Sequence, residues 1–241
     1  PGEGARIYDA AVAMAKLMTK LGIAADGGKD SISMAARVGN ENVKSPGEVV
    51  ISGYATMPDI SKKATPDIKK PGKSKLFFID LAKGRSRRGG SALAQACGQI
   101  GDESPDVNDP LLLINAFNAV QRMIEHGLIL ACHDRSDGGL ITTLLEMCIA
   151  GVKGCTITID FPSKWEKFWF NEELGLLLEV EPRNTEYFLS RYKDSLHIGY
   201  VENINLIKIK HNGKQILNEN ITNLWSIWES TSFKLDKSKC V

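Results

Sequence analysis

A chain of 241 residues, 43% hydrophobic and 24% charged, has room for one large domain or two small ones and the make-up of an ordinary soluble globular protein. Its 30 basic and 29 acidic side chains leave a net charge of +1, which argues against a dedicated nucleic-acid binder, since such proteins carry a clear basic excess. Five cysteines (Cys97, Cys132, Cys148, Cys155 and Cys240) form no CxxC pair and no zinc spacing, so they read as reduced thiols of a cytoplasmic protein. No apolar run approaches the length of a membrane span and no signal peptide opens the chain. The first residue is Pro1 and a helical pattern follows at once, as in a piece of a longer protein.

Ala5 to Leu21 reads as an amphipathic helix, with Ile7, Ala11, Met14, Leu17 and Met18 near one face and Gly22 as its stop. A short strand, Ile23-Ala24-Ala25, leads into Asp26-Gly27-Gly28-Lys29-Asp30-Ser31-Ile32-Ser33-Met34. There Lys29 would meet a phosphate, Asp30 a metal or a proton, and Ser31 a hydroxyl contact. A polar turn with solvated charges is the alternative, and the spacing is not that of a P-loop. Glu48 to Ala55 reads as the next strand. Pro58 to Ser74 is the best candidate for a domain boundary, and from Lys62 to Arg88 ten Lys/Arg face two acids. Such a run is ordinarily a solvated linker and loop, with polyanion binding the lesser reading.

Lys75 to Leu81 reads as a strand. The loop Lys83 to Gly90 then brings three arginines and a glycine pair to the start of a helix over Ser91 to Gln99, which would suit a phosphate or a mobile surface. Asp109-Pro110 opens a helix running to Glu125, with Leu112, Leu113, Ala116, Phe117, Val120 and Met123 as its core stripe and His126 at its C-terminal dipole. Cys155 to Phe161 alternates like a strand, and Trp165 to Phe170 reads as a short helix with inward aromatics. Glu172 and Glu173 precede a strand over Leu176 to Val180, either reaching into a cleft or simply exposed. A helix follows from Thr185 to Lys193. Leu206 to Leu217 forms a hairpin around Asn212-Gly213, and a helix from Ile221 to Trp228 buries two tryptophans. His197 and His211 lie in surface-like contexts. Strands and helices in this order, with a late hairpin, predict an α+β or α/β sandwich.

The stretch with most chemistry is Ala131-Cys132-His133-Asp134-Arg135-Ser136-Asp137-Gly138-Gly139-Leu140. It joins a buried strand, Leu128 to Ala131, to a helix over Leu140 to Ile149, at the kind of switch where backbone amides face outward and anions settle. Asp134 and Asp137 are hard oxygen donors of the type Mg²⁺ takes beside water and phosphate. Ser136 or Asp137 acting only as an N-cap is the competing reading.

These residues, from Asp26 to Met34 and from His133 to Leu140, together with Gly89-Gly90-Ser91-Ala92-Leu93-Ala94-Gln95 and Trp228-Glu229-Ser230-Thr231-Ser232, resemble the large single-chain phosphoribosylformylglycinamidine synthase family. The four blocks keep the family's order over nearly the whole chain. The resemblance implies an aminoimidazole ribonucleotide (AIR) synthetase-like fold: residues 1–70 as the tail of a second N-terminal-type domain and 72–241 as a second C-terminal-type α+β domain. It implies a carbon–nitrogen ligase of purine biosynthesis that turns formylglycinamide ribonucleotide, ATP and glutamine into the amidine. Asp134 then matches the family's Mg²⁺ ligand, Ser136 its ATP (or ADP) contact, and Lys29, Asp30 and Ser31 a turn facing the phosphate cleft. The remaining metal ligands would lie upstream and the glutaminase domain downstream. None of the five cysteines is then a nucleophile, and this piece alone would be inactive. A permanently held structural nucleotide, or another ATP-using relative of the fold, are the alternatives. The expected partners are ATP, the ribonucleotide and the rest of the enzyme, with no nucleic acid and no membrane.

Overall fold

A computed structural model of the chain describes residues 2–72, 74–162 and 164–238; Pro1, Lys73 and Cys240, each used in the sequence reading, lie outside them. The described chain divides into two compact units, Pro1–Ile60 with Asp109–Ile114, and Ser61–Asn108 with Asn115–Val241.

The first unit is built on α1 (Glu3–Leu21), which ends where Gly22 enters the left-handed region at φ 71°. A glycine carries no Cβ penalty there, so the stop falls where the sequence puts it. The strand expected at Ile23–Ala25 does not form. A hairpin that the sequence did not reveal follows instead: β1 (Ala35–Val38) and β2 (Glu41–Lys44), paired antiparallel. Glu48 to Ala55 carries β-formers, yet it makes no strand, and Val50 and Tyr54 stand 81% and 95% exposed. Propensity without a partner for the main-chain hydrogen bonds does not yield a strand.

The second unit is a seven-stranded mixed sheet with helices on both faces. Its elements are β3 (Lys75–Asp80), α2 (Ala92–Ala96), α3 (Pro110–Glu125, continuing from the first unit), β4 (Ile129–Asp134), α4 (Gly139–Gly151) and β5 (Gly154–Ile159). They continue as α5 (Trp165–Trp169), β6 (Gly175–Val180), α6 (Thr185–Arg191), β7 (Leu196–Glu202), β8 (Leu206–His211), β9 (Lys214–Asn220) and α7 (Ile221–Ser238). The strand order is β4-β6-β3-β7-β5-β8-β9, antiparallel except for the β5–β8 pair. This is an α+β architecture. Strand β7 was missed in the sequence, and the Asn212-Gly213 turn was found, with both residues at positive φ.

Alternation along β3 sorts its side chains: Leu76 and Phe78 join the core under α4, α5 and α7, while Phe77 and Ile79 join that under α3 and α6. Two further expectations fail on burial. Phe117 is exposed, the α3 core stripe being Ala116, Val120 and Met123. Trp225 and Trp228 remain 37% and 57% exposed, because α7 buries only Ile221 fully.

His211 is buried beside Phe168, not at the surface, whereas His197 stands exposed on β7 as expected, its ring tilted at 45° to Phe77. The division between the two units at Ile60/Ser61 falls within the Pro58–Ser74 stretch, whose later residues pack on the sheet. Buried Glu179 accepts from the Lys69 and Lys70 amides at 2.8 and 2.9 Å and from Ser74 Oγ at 2.6 Å, so the segment is docked before β3 starts.

Candidate functional site

The edge strand β4 delivers Asp134 to the sheet margin, and the chain turns through Arg135–Gly138 into α4. Gly138 and Gly139 take φ 81° and 76°. A Cβ on Gly139 would lie 2.6 Å from the Trp169 carbonyl oxygen and 2.8 Å from the Phe170 backbone, so this position admits glycine alone. Gly138 is the N-cap of α4 and no side chain caps it, which rules out the capping role for Ser136 and Asp137.

Asp134 and Ser136 face solvent and hold each other. Ser136 Oγ donates to Asp134 Oδ2 at 2.5 Å, and Asp134 Oδ1 lies 3.1 Å from His133 Nδ1. The far nitrogen of His133 reaches Glu146 Oε2 on α4 at 3.0 Å. Partial burial pushes the Asp134 carboxyl up, and the bonds from Ser136, the main chain and His133 more than offset it, so it sits below the usual carboxylate range. It is therefore an ionised, exposed oxygen donor at neutral pH.

The residue between these two is an anchor. Arg135 is buried, donating from Nε to the Glu173 carbonyl and from Nη2 to the Leu174 carbonyl at 2.9 Å and Asp80 Oδ1 at 3.0 Å, with its guanidinium 4.8 Å over the Phe78 ring. Burial pulls its pKa down and Asp80 opposes this.

Two glutamates that sequence reasoning left undecided carry much of the local order. Glu173 is buried and accepts from Arg87 Nε at 2.5 Å, Nη2 at 2.6 Å and the Arg87 amide at 3.1 Å. Burial raises its pKa and Arg87 more than reverses that, leaving it below the ordinary value. Glu172 Oε1 accepts from the Gly138 amide at 2.7 Å and from the Ala92 amide at 2.8 Å. The Gly139 amide goes to the Ser136 carbonyl at 3.0 Å. Two of the amides expected to face outward at this helix start, those of Gly138 and Gly139, are thus already used.

The loop before α2 lines a hollow of about 700 Å³, bounded by Arg85, Arg87, Arg88, Asp102 and Glu103 among others. Arg87 is neutralised by Glu173, and the remaining two guanidiniums are matched by two acids. The formal charges along the hollow therefore balance. Lys29, Asp30 and Ser31 lie in the first unit, all exposed, with Lys29 Nζ donating to Ser31 Oγ at 2.8 Å.

The donor set fits Mg²⁺ only in the mode where one carboxylate shares the ion with water and phosphate oxygens. Among the described residues no group of three or more His, Cys, Asp or Glu stands together as a protein cage. Of the described thiols, Cys97 is exposed and away from this turn's chemistry-bearing residues in sequence, and the other three are shielded. Cys132 is pushed up to about 12 by burial and the Asp134 charge, and Cys148 and Cys155 are fully buried with their sulfurs 3.7 Å apart.

With this geometry in hand, comparison gives the class first: residues 79–210 match the family described as AIR synthase related protein, C-terminal domain, and the chain belongs to it. Residues 1–56 match the FGAR-AT PurM_N-like domain. The curated relatives are named phosphoribosylformylglycinamidine synthase. The chain is 43% identical to that of Homo sapiens over 98% of its own length, covering 18% of the human protein. It is 47% identical, again over 98% of its length, to the Arabidopsis thaliana protein named as the probable chloroplastic/mitochondrial synthase, covering 17% of it. The chain thus spans under a fifth of the length of these two relatives. Among solved structures, Thermotoga maritima PurL complexed with FGAR shares the fold at TM-score 0.56 and 15% identity, over 68% of this chain and 30% of that one. The same protein complexed with ATP gives 0.53 at 13%, over 68% and 27%.

Proposed function

We propose that this chain is a nucleotide-binding module of a phosphoribosylformylglycinamidine synthase, lining an ATP–Mg²⁺ cleft in the ligase that converts formylglycinamide ribonucleotide to the amidine with glutamine as nitrogen donor. The observation that carries the reading is the Asp134–Ser136 pair: an ionised carboxylate and a hydroxyl, exposed at a strand end, joined to each other and to no cap. Mg²⁺, when bound, would neutralise polyphosphate charge that the protein alone leaves unmatched. Asp134 would hold the ion, Ser136 would meet the nucleotide, and buried Arg135 would keep both in place. Lys29, Asp30 and Ser31 are proposed as a phosphate-facing turn contributed by the N-terminal-type domain, residues 1–70, with the C-terminal-type domain occupying 72–241.

The proposed partners are the ribonucleotide and the remaining synthetase and glutaminase domains of such an enzyme. A soluble, cytoplasmic setting accords with the absence, among the described residues, of any helix long and apolar enough to cross a membrane. The direct test is calorimetric titration of the full chain with Mg²⁺–ADP and Mg²⁺–ATP. Binding that Asp134→Asn abolishes, at an unchanged melting temperature, supports the reading; equal binding by parent and variant overturns it.

A further inference from the structure

The segment Asn171-Glu172-Glu173 touches two places that are far apart in sequence. Toward the arginine loop, Asn171 Nδ2 donates to the Arg85 carbonyl at 2.9 Å, Glu173 grips Arg87 through side chain and amide, and Glu172 Oε1 takes the Ala92 amide at 2.8 Å. Toward the strand-to-helix turn, the same Glu172 Oε1 takes the Gly138 amide at 2.7 Å, and the Glu173 carbonyl takes Arg135. Asn171 steadies the segment itself, its Oδ1 accepting from the Glu173 amide at 2.8 Å.

One carboxylate oxygen shared by two backbone donors fixes the distance between them. Gly138 stands two residues after Ser136 and four after Asp134, at a glycine pair with little conformational preference of its own. Without a partner, its amide has no reason to hold one orientation, and the preceding turn loses its reference point.

We infer that Glu172 is a positioning residue, clamping the turn that carries Asp134 and Ser136 to the start of α2, just after the arginine loop, so that the two move as one body. The inference rests on the nucleotide reading of that turn and adds to it a residue that touches neither metal nor nucleotide. Removing an outer partner of a metal-holding group characteristically costs about 10–100-fold in affinity. Glutamine keeps a side-chain oxygen that can accept both amides, whereas alanine leaves them both to solvent.

The test compares the full chain with Glu172→Ala, Glu172→Gln and Asp134→Asn, reading amide hydrogen exchange and titration with Mg²⁺–ADP. In Glu172→Ala, exchange at Gly138 and Ala92 accelerates together by about tenfold or more, and Mg²⁺–ADP affinity falls by about tenfold or more. Glu172→Gln rescues both readouts to near the parent values, and the Leu112 amide, capped by Asp109 elsewhere, is unmoved in every variant. Unchanged affinity in Glu172→Ala despite faster exchange would reduce Glu172 to a cap and overturn the positioning role. Faster exchange at one of the two amides alone would overturn the clamp. A parent that binds no better than Asp134→Asn instead sinks the nucleotide reading, and the clamp then stands or falls on whether the two amides are released together.

Discussion

The sharpest stability test is Glu173→Ala, because the structure shows every group that would be stranded. The carboxylate is 1% exposed and its partner Arg87 14% exposed on the side chain. Its removal deletes two charge-assisted bonds to the guanidinium and one to the Arg87 amide. Arg87 would keep only the Asp106 carbonyl at 3.0 Å and Asn108 Oδ1 at 2.8 Å. Losing the charge-assisted hydrogen bonds of buried Glu173 costs about 1.5–3 kcal/mol. For a domain of this size that lowers Tm by roughly 3–12 °C, at about 2–4 °C per kcal/mol.

The pH dependence has a definite sign. The folded-state pKa of Glu173 lies below its ordinary value, so its contribution is complete above the unfolded-state pKa and is lost as pH falls through the folded one. Thermal scans from neutral pH down to the acid range should therefore show a large gap between parent and variant near pH 7 that closes on acidification. A Tm loss under about 2 °C at neutral pH, or a gap that widens toward acid, would refute the assignment of Glu173 as the ionised partner of Arg87.

Gly139→Ala should cost more than left-handed strain, about 1–2 kcal/mol, because its Cβ also meets the Trp169–Phe170 backbone; a Tm within a degree of the parent would contradict the packing described. Alkylation of the native chain should label exposed Cys97 and spare Cys148 and Cys155 until unfolding, a pattern read by peptide mass analysis. Assayed alone with ATP, Mg²⁺, ammonia and formylglycinamide ribonucleotide, the chain should form no amidine, and measurable turnover would remove the premise that further domains complete the site.

What the sequence disclosed follows from which interactions are local. The α1 stop at Gly22, the Asp109 cap on α3 and the Asn212-Gly213 turn are settled within a few residues, and all three form as read. The strand–turn–helix around Asp134 was also legible, since an apolar run, a glycine pair and a helical stripe are contiguous there. The roles of Glu172 and Glu173 were not, because each depends on groups some 35 to 85 residues distant that only the sheet order brings near. Glu48–Ala55 failed for the reverse reason: its residues favour a strand, but pairing is a property of two segments. The two tryptophans of α7 mislead similarly, since aromatic content predicts burial only where another surface is supplied.

The use of the turn's amides bears on how a nucleotide could be held there. A helix start ordinarily offers unsatisfied N–H groups to an anion, but here the Gly138 amide belongs to Glu172 and the Gly139 amide to Ser136. The nearest guanidinium, Arg135, is buried and engaged through Nε and Nη2. The side chains that face solvent are Asp134 and Asp137, which repel phosphate, and Ser136 with its hydroxyl. Polyphosphate can approach an ionised carboxylate only with a cation between them, so affinity at this turn should depend on divalent metal far more steeply than at an amide-lined site. Titration with ADP should give measurable heat with Mg²⁺ and none detectable with excess EDTA, and Asp134→Asn should respond little to either condition. Equal ADP affinity with and without Mg²⁺ would mean that the nucleotide is held by donors other than this pair.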